Sequence, residues 1–533
     1  MKLDFDPFLR FEQLERWTEA LRREAPHLVR TGEIGISPEG RRQILLTITD
    51  FSTGEPESKP GFAITANLHC HELAGPLAAL NTARALVEDH RPGGILSHTV
   101  FYILPRVNPD STERVIEHSG YIRSRCDYST RPNTFLQQDI DGDGRILQMR
   151  IETPDGDMCR DPDHPDCMIA RTADSAGPFY RVCAEGLIQN YDGESRNFIW
   201  EGAMRDWNRN WPCRWTPETA VAGDFPLSEP EVWNLGKFLG DHKNLFMHID
   251  YHNGWGSIFR PSEQDMDKGD RKLYRLLARM GEQCIGYPYE DLRFAGEPAD
   301  LGDHGGMLVD HAYYNLGLLS WTVELGTFEH SAGLSTEAIL RHDFESDYQP
   351  WPELFRYQER HPEVRPAIHP WKKFLHPQLG PVEIGGIDIP ALAVPVPAEL
   401  PEICRRTHAF TLKLAGKQPH LQCLDREVRE LAPGFFRARI RLCNAGELST
   451  SVTRRALKLP RCAKPFVELE TAEPIRCVSF QRHFELEHFA PWESRTLEWF
   501  FAGTPAAGKL AVLHLTGGAA GSFDIPLTTE QSC

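Results

Sequence analysis

The sequence contains no apolar run approaching the roughly 18 residues that a membrane-crossing helix needs, so no membrane partner is expected. It lacks positive charge as well: 58 Lys and Arg stand against 76 Asp and Glu, a net charge of −18 with pI about 5.7. Phosphate recognition needs a basic surface, so nucleic acid is excluded as a main partner. The first residues, Met1 to Asp6, have no apolar stretch of the kind a secretory leader carries. The 13 cysteines are odd in number and form no Cys-x-x-Cys pair. Reduced thiols and a cytoplasmic location are the expectation. What is present is ordinary globular composition, 41% hydrophobic, in a chain of 533 residues that predicts two to four domains.

Apolar positions Leu14, Trp17, Leu21 and Leu28 recur at helical spacing and predict an amphipathic helix over 11–29. Ile34 to Arg41 reads as a turn between two strands. Continuous apolar runs follow at Gly61–Thr65, Val100–Leu104, Asn244–Ile249 and Leu318–Val323, with helical patterns between them. Uninterrupted apolar strands alternating with helices predict an α/β fold, with a mixed, largely parallel central sheet flanked by helices. Residues 121–205 break this pattern as a long polar insertion. After about Leu379 the composition shifts to a proline-rich stretch and then to short strands, read as a small all-β sandwich. The expected division is 1–417 for the α/β domain and 418–533 for the sandwich.

In sheets of this kind functional groups collect at the C-terminal ends of strands. The corner Ala66-Asn67-Leu68-His69-Cys70-His71-Glu72 ends one such strand. An imidazole and a carboxylate three residues apart are ligand types of a catalytic Zn²⁺. The plainer account is a helix start with a capping Glu and a satisfied histidine. A distant third ligand is required, and His252, presented at the end of Asn244–Tyr251, is the best candidate; His248 competes but lies within the apolar run. Glu324 is a single carboxylate set in an apolar strand, which marks it as a candidate general base. Asn208 and Arg209, flanked by Trp207 and Trp211, read either as a loop with aromatic cover or as an anion clamp. Within the insertion, Asp139, Asp141, Asp143 and Arg145 follow the first part of a Ca²⁺-loop pattern. The twelfth position, which should be Glu, is Arg150, and a solvated acidic turn is the simpler reading.

Together these motifs, in this order, resemble the zinc metallocarboxypeptidases of the carboxypeptidase A-like superfamily over roughly residues 10–390. His69 and Glu72 match its first zinc motif, Asn108-Pro109-Asp110 its Asn-Pro-Asp turn, Asn208-Arg209-Asn210-Trp211 the carboxylate-holding segment, His252 the third ligand, and Thr322-Val323-Glu324-Leu325 the segment of the catalytic Glu. The resemblance implies one Zn²⁺ per chain held by His69, Glu72 and His252, with Glu324 as base. It places oxyanion stabilisation on Arg123, with Arg125 as the alternative. It implies terminal-carboxylate binding by Asn208 and Arg209, and a side-chain pocket at Val309 and Asp310. The family's substrate-capping Tyr has no counterpart in Ala299–Gly306, and the gap from Glu72 to His252 is lengthened by the insertion. The expected substrate is a peptide or peptide-like molecule with a free carboxylate. Rival readings are a zinc amidohydrolase acting on a muropeptide, an acyl-amino acid or a modified side chain, and a non-catalytic binding module. Calcium at the acidic loop is a further candidate cofactor.

Overall fold

Where the chain runs through several apolar residues without a polar break, it forms strands covered on both faces. The computed structural model describes residues 2–126, 133–193, 204–217, 219, 221–290, 305–344 and 350–529. Its central sheet contains β1 (Val29–Ile36), β2 (Arg42–Ile48), β3 (Gly61–Ala66), β4 (Val100–Leu104), β5 (Leu245–Asn253), β6 (Ser257–Phe259), β7 (Tyr289–Glu290) and β8 (Leu319–Leu325). The order across the sheet is β1-β2-β4-β3-β5-β8-β6-β7. The middle four strands, β4, β3, β5 and β8, run parallel, while β1, β2 and β6 pair antiparallel towards the two edges. Every residue of β3, β4 and β5 is buried. Helices lie against this sheet, among them α1 (Phe11–Glu24), α2 (Ala74–Glu88), α3 (Pro109–His118), α4 (Pro230–Asp241), α5 (Lys268–Ile285), α6 (Leu308–Tyr314) and α7 (Leu400–Ala415). The fold is therefore α/β with a mixed central sheet. Among the described residues no helix is long and apolar enough to cross a membrane.

Three local readings are refined. The first helix ends at Glu24, not near Val29, because Pro26 cannot continue it and Leu28 and Val29 turn into β1. Asn108-Pro109-Asp110 is a helix start rather than a free turn: the Asn108 side chain accepts from the Ser111 N–H and Pro109 occupies the first helical position. The polar insertion is built of strands. Gln148–Glu152, Phe179–Ala184, Met158–Arg160 and Met168–Ala170 join a hairpin of Ile368–His376 and Gly380–Ile387 in one six-stranded antiparallel sheet. Phe135, Met149, Ile188, Val382 and Ile384 share a core beneath it. The insertion is tied at its base, where Arg125 and Cys126 pair with Arg205 and Met204.

Beyond α7 the chain is all-β. One four-stranded antiparallel sheet contains Leu421–Ala432, Phe435–Asn444, Ser494–Ala502 and Arg476–Cys477; the other contains His483–Glu485, Phe466–Thr471, Lys509–Thr516 and Ser522–Thr528. Alternating residues of the two sheets, including Phe436, Ile440, Trp499, Leu513 and Leu527, form a single buried cluster.

Candidate metal centre

The corner after β3 is set by its backbone. Asn67 has φ 61°, a left-handed conformation that Asn tolerates better than most residues. Its amide donates to the carbonyls of His69 (2.8 Å) and Glu72 (3.2 Å), and its own carbonyl accepts from Thr112 Oγ1 at 2.9 Å. This folds His69 and Glu72 inward. His252 arrives from the end of β5, two strands of which flank it: β5 pairs with β3 and with β8, and His252 stands opposite Glu324 in the β5–β8 register.

His69, Glu72 and His252 each offer one ligand atom, and these atoms lie within 4.8 Å of one another. His69 Nδ1 is 2.7 Å from Glu72 Oε1, and His252 Nδ1 is 2.9 Å from Glu72 Oε2 and 3.1 Å from His69 Nδ1. All three side chains are at most 2% exposed. Glu72 Oε2 is buried without a hydrogen bond of acceptable geometry. Two ring nitrogens and a carboxylate aimed at one point, with an orphaned oxygen among them, fit a catalytic Zn²⁺ that keeps an open position. Burial opposes charge on Glu72, but His69 and His252 outweigh it and hold the carboxyl well below its usual range. Burial likewise pulls His252 down, while the Glu72 and Asp250 carboxylates hold it well above.

The far nitrogen of each imidazole meets a carboxylate. His69 Nε2 is 3.1 Å from Asp206 Oδ1, and His252 Nε2 is 2.7 Å from Asp250 Oδ2. Such partners orient a ligand ring and fix its tautomer. The sequence carries a faint signal for each Asp: Asp250 precedes His252 by two and so shares its strand face, and Asp206 precedes Asn208 by two. His71 and His248 stand outside the cluster. His71 Nδ1 donates to the Ile122 carbonyl at 3.1 Å, and burial pushes its pKa down to about 4. His248 bonds to Thr65 and Ser320 within the sheet.

Arg123 lies beside the cluster, with Nη1 3.6 Å from Glu72 Oε1 and Nε 3.3 Å from Asp206 Oδ2. Burial acts to lower its pKa, and the two carboxylates override this and raise it. The Cys70 N–H donates to the Arg123 carbonyl at 2.9 Å, so the arginine is fastened to the metal corner itself. Arg125 instead pairs with Glu229 at 2.8 Å. On β8, Glu324 is raised to about 8, first by burial and then by the Glu72 carboxylate, against His252 and Arg123. Gly254 makes room for it: a Cβ there would come within 3.1 Å of Glu324 Oε2.

Asn208 and Arg209 follow Asp206 on a short 3₁₀ turn. The Asn208 carbonyl oxygen of the side chain accepts from the Leu308 N–H at 2.9 Å, which ties the turn to the start of α6. The charges of Asp206 and Arg123 act on Arg209, whose pKa is lowered chiefly by burial. Val309 and Asp310 lie on α6, both 1% exposed. Asp310 is paired with Arg214 and accepts from the Ser262 N–H at 2.7 Å. Of Ala299–Gly306, residues 299–304 lie outside the described residues.

The acidic loop is a separate place. Asp139, Asp141 and Glu185 bring carboxylate oxygens within 4.8 Å of one another. Most of these oxygens already serve the loop: Asp139 accepts from the N–H groups of Gly142 and Gly144, and Asp143 from that of Arg145. Glu185 accepts from Ile140, Asp141 and Leu147. Arg150 turns into the neighbouring sheet and pairs with Glu383 at 2.8 Å.

A zinc carboxypeptidase family model matches residues 14–163 and 188–346. A domain of unknown function matches 420–522. Carboxypeptidase B of Astacus astacus is 26% identical over 109 residues, which is 20% of this chain and 35% of that protein, so the chain spans about a third of the length of this curated relative. Among solved structures, bovine thrombin-activatable fibrinolysis inhibitor in complex with tick carboxypeptidase inhibitor is 15% identical, covers 76% of this chain and 95% of its own, and has a TM-score of 0.41. Carboxypeptidase A of Helicoverpa armigera is 18% identical over 66% of this chain and 72% of its own, with a TM-score of 0.40. Nothing in these likenesses speaks for calcium at the acidic loop. The family model spans more than half of the sequence, and the chain belongs to the zinc carboxypeptidase family.

Proposed function

We propose that the protein is a zinc-dependent carboxypeptidase that hydrolyses the last peptide bond of a peptide or peptide-like substrate bearing a free carboxylate. The observation that carries this is the convergence of His69, Glu72 and His252 on one point, with Glu324 paired opposite His252 on the next strand. When bound, a single Zn²⁺ supplies a Lewis acid that polarises the scissile carbonyl and acidifies water. His69, Glu72 and His252 would hold it. Glu324 takes the proton of the attacking water on a carboxylate oxygen and returns it to the leaving amine nitrogen. Burial and the Glu72 carboxylate raise its proton affinity, which favours uptake of a proton from water. Arg123, anchored beside Glu72, stabilises the developing oxyanion. Asn208 and Arg209 hold the terminal carboxylate and set the register of the cut. Val309 and Asp310 belong to the wall of the side-chain pocket, with Asp310 held in place by Arg214. We place the boundary between this catalytic unit and the C-terminal β-sheets at residues 417 and 418.

The test compares blocked dipeptides with free and amidated C-termini, using purified protein whose zinc content is measured. Cleavage of the free acid and sparing of the amide is the expected result. Equal cleavage of both removes the carboxylate clamp and favours an amidohydrolase acting on a non-standard amide. Absence of zinc and indifference to chelator would overturn both enzyme readings.

A further inference from the structure

Beneath the metal corner a row of polar side chains crosses the middle of the central sheet. From His252 it runs to Asp250 at 2.7 Å, from Asp250 Oδ1 to Thr65 Oγ1 at 2.5 Å, from Thr65 Oγ1 to His248 Nε2 at 2.9 Å, and from His248 Nδ1 to Ser320 Oγ at 2.9 Å. Thr65, His248 and Ser320 are fully buried, and Asp250 is 1% exposed. The three strands that carry them are neighbours, and the pairing registers align Asp250 with Thr65 and His248 with Ser320. Residues 248, 250 and 252 alternate along β5 and so share one face. The residues between and beside them, Ile64, Ile249, Leu319 and Trp321, are apolar and buried. Apolar side chains of similar volume would fill this position without needing partners, so the polar row calls for a role.

Donor and acceptor chemistry gives the row one direction. An ionised carboxylate only accepts. The single Thr65 hydroxyl proton therefore goes to Asp250, and Thr65 Oγ1 must accept from His248 Nε2–H. His248 Nδ1 then carries a lone pair and accepts from the Ser320 hydroxyl. At the other end Asp250 accepts His252 Nε2–H, which leaves His252 Nδ1 as the nitrogen that would turn to a metal beside Glu72 and His69. No member can reverse without leaving a buried group unsatisfied.

We propose that Ser320, His248, Thr65 and Asp250 form a one-way hydrogen-bond chain that positions His252 as a metal ligand, fixing which nitrogen it offers and the orientation in which it offers it. These are positioning residues: they act through His252 and touch neither metal nor substrate. The inference rests on the metal-dependent function proposed above and extends it to four residues outside the ligand set. The sheet that supports the site also orients one of its ligands.

The test is zinc affinity of the purified full-length chain, measured by competition with a chromophoric chelator, together with the visible spectrum of the cobalt(II)-loaded protein. Asp250→Asn, which keeps the shape, is expected to weaken zinc binding by about 10–100-fold and to shift the cobalt bands. Thr65→Val, which removes only the hydroxyl, is expected to weaken it by about tenfold, and Thr65→Ser is expected to restore affinity to within about twofold of the unmodified protein. Wild-type affinity and unshifted cobalt bands in Asp250→Asn and Thr65→Val would overturn the proposal. So would a loss in Thr65→Ser equal to that in Thr65→Val, which would mark a packing effect. If Asp250→Asn does not fold, the Thr65 pair decides alone. Failure of the unmodified protein to take up zinc would instead overturn the functional reading, and the proposal with it.

Discussion

Among the described residues, two places gather carboxylates and other ligand-type side chains, and they are built in opposite ways. At the end of β3 and β5, His69, Glu72 and His252 turn their donor atoms toward one another, while the backbone of the corner is satisfied by Asn67. In the acidic loop, Asp139, Asp143 and Glu185 turn their oxygens toward the loop's own N–H groups. The first arrangement leaves ligand atoms facing a common point and uses other residues for support. The second uses the candidate ligands themselves as the support. Proximity of acidic groups therefore says less than the question of which partners their oxygens already have.

The comparison is tested most strongly at Glu324. Glu324→Gln is expected to lower kcat by about 10²–10⁴-fold while zinc content, measured by metal analysis, stays at one per chain. A near-normal rate would remove Glu324 as the base. Arg209→Ala should raise KM for free-carboxylate substrates by about 10–100-fold, the loss of a charge-assisted pair, and leave amidated analogues unchanged. Steady-state kinetics on the two substrate types separates these outcomes.

At the loop the readout is stability. Burial raises Glu185 to about 7 from the ordinary 4.5, against the hydrogen bonds of three N–H groups. The folded state then binds this proton more tightly than the unfolded chain. Its contribution is fully present below about pH 4.5 and is lost as pH rises toward 7, by at most about 3 kcal/mol. The difference in urea midpoint between the unmodified protein and Glu185→Gln should change across that window and flatten above it. A difference that grew in the opposite direction would break the assignment. The smallest effect is expected at Asp139→Asn, within about 1 kcal/mol in Tm-derived stability, because its neighbours are exposed and only one hydrogen-bond type changes. If millimolar calcium raised Tm and this substitution abolished the rise, the contrast between the two places would fail and the loop would be a second metal site.

The features readable in the sequence were those set by local pattern. Apolar runs gave the strands of the parallel middle, and residues at their ends, His69, His252 and Glu324, are brought to one place. The supporting residues were harder to see. Asp250 has only its two-residue spacing from His252 to mark it, and Thr65, His248 and Ser320 come from three strands whose adjacency no local motif states. The insertion reads only as a polar break in the pattern because its strands are short and polar on one side, and because one partner strand, Gly380–Ile387, lies more than 200 residues along the chain from Arg150, which pairs with Glu383. Glu185, close to the acidic loop in space, lies outside the span that a contiguous calcium-loop pattern covers.

The two-residue ladder of Arg125 and Cys126 with Arg205 and Met204 brings the ends of the insertion side by side. A segment whose ends already meet imposes no stretch on what it interrupts, so its length is decoupled from the geometry of the centre. Arg123 and Asp206 sit just outside that ladder, on the side of the metal corner. The insertion can therefore change in length while the spacing of arginine, aspartate and histidine at its base stays the same.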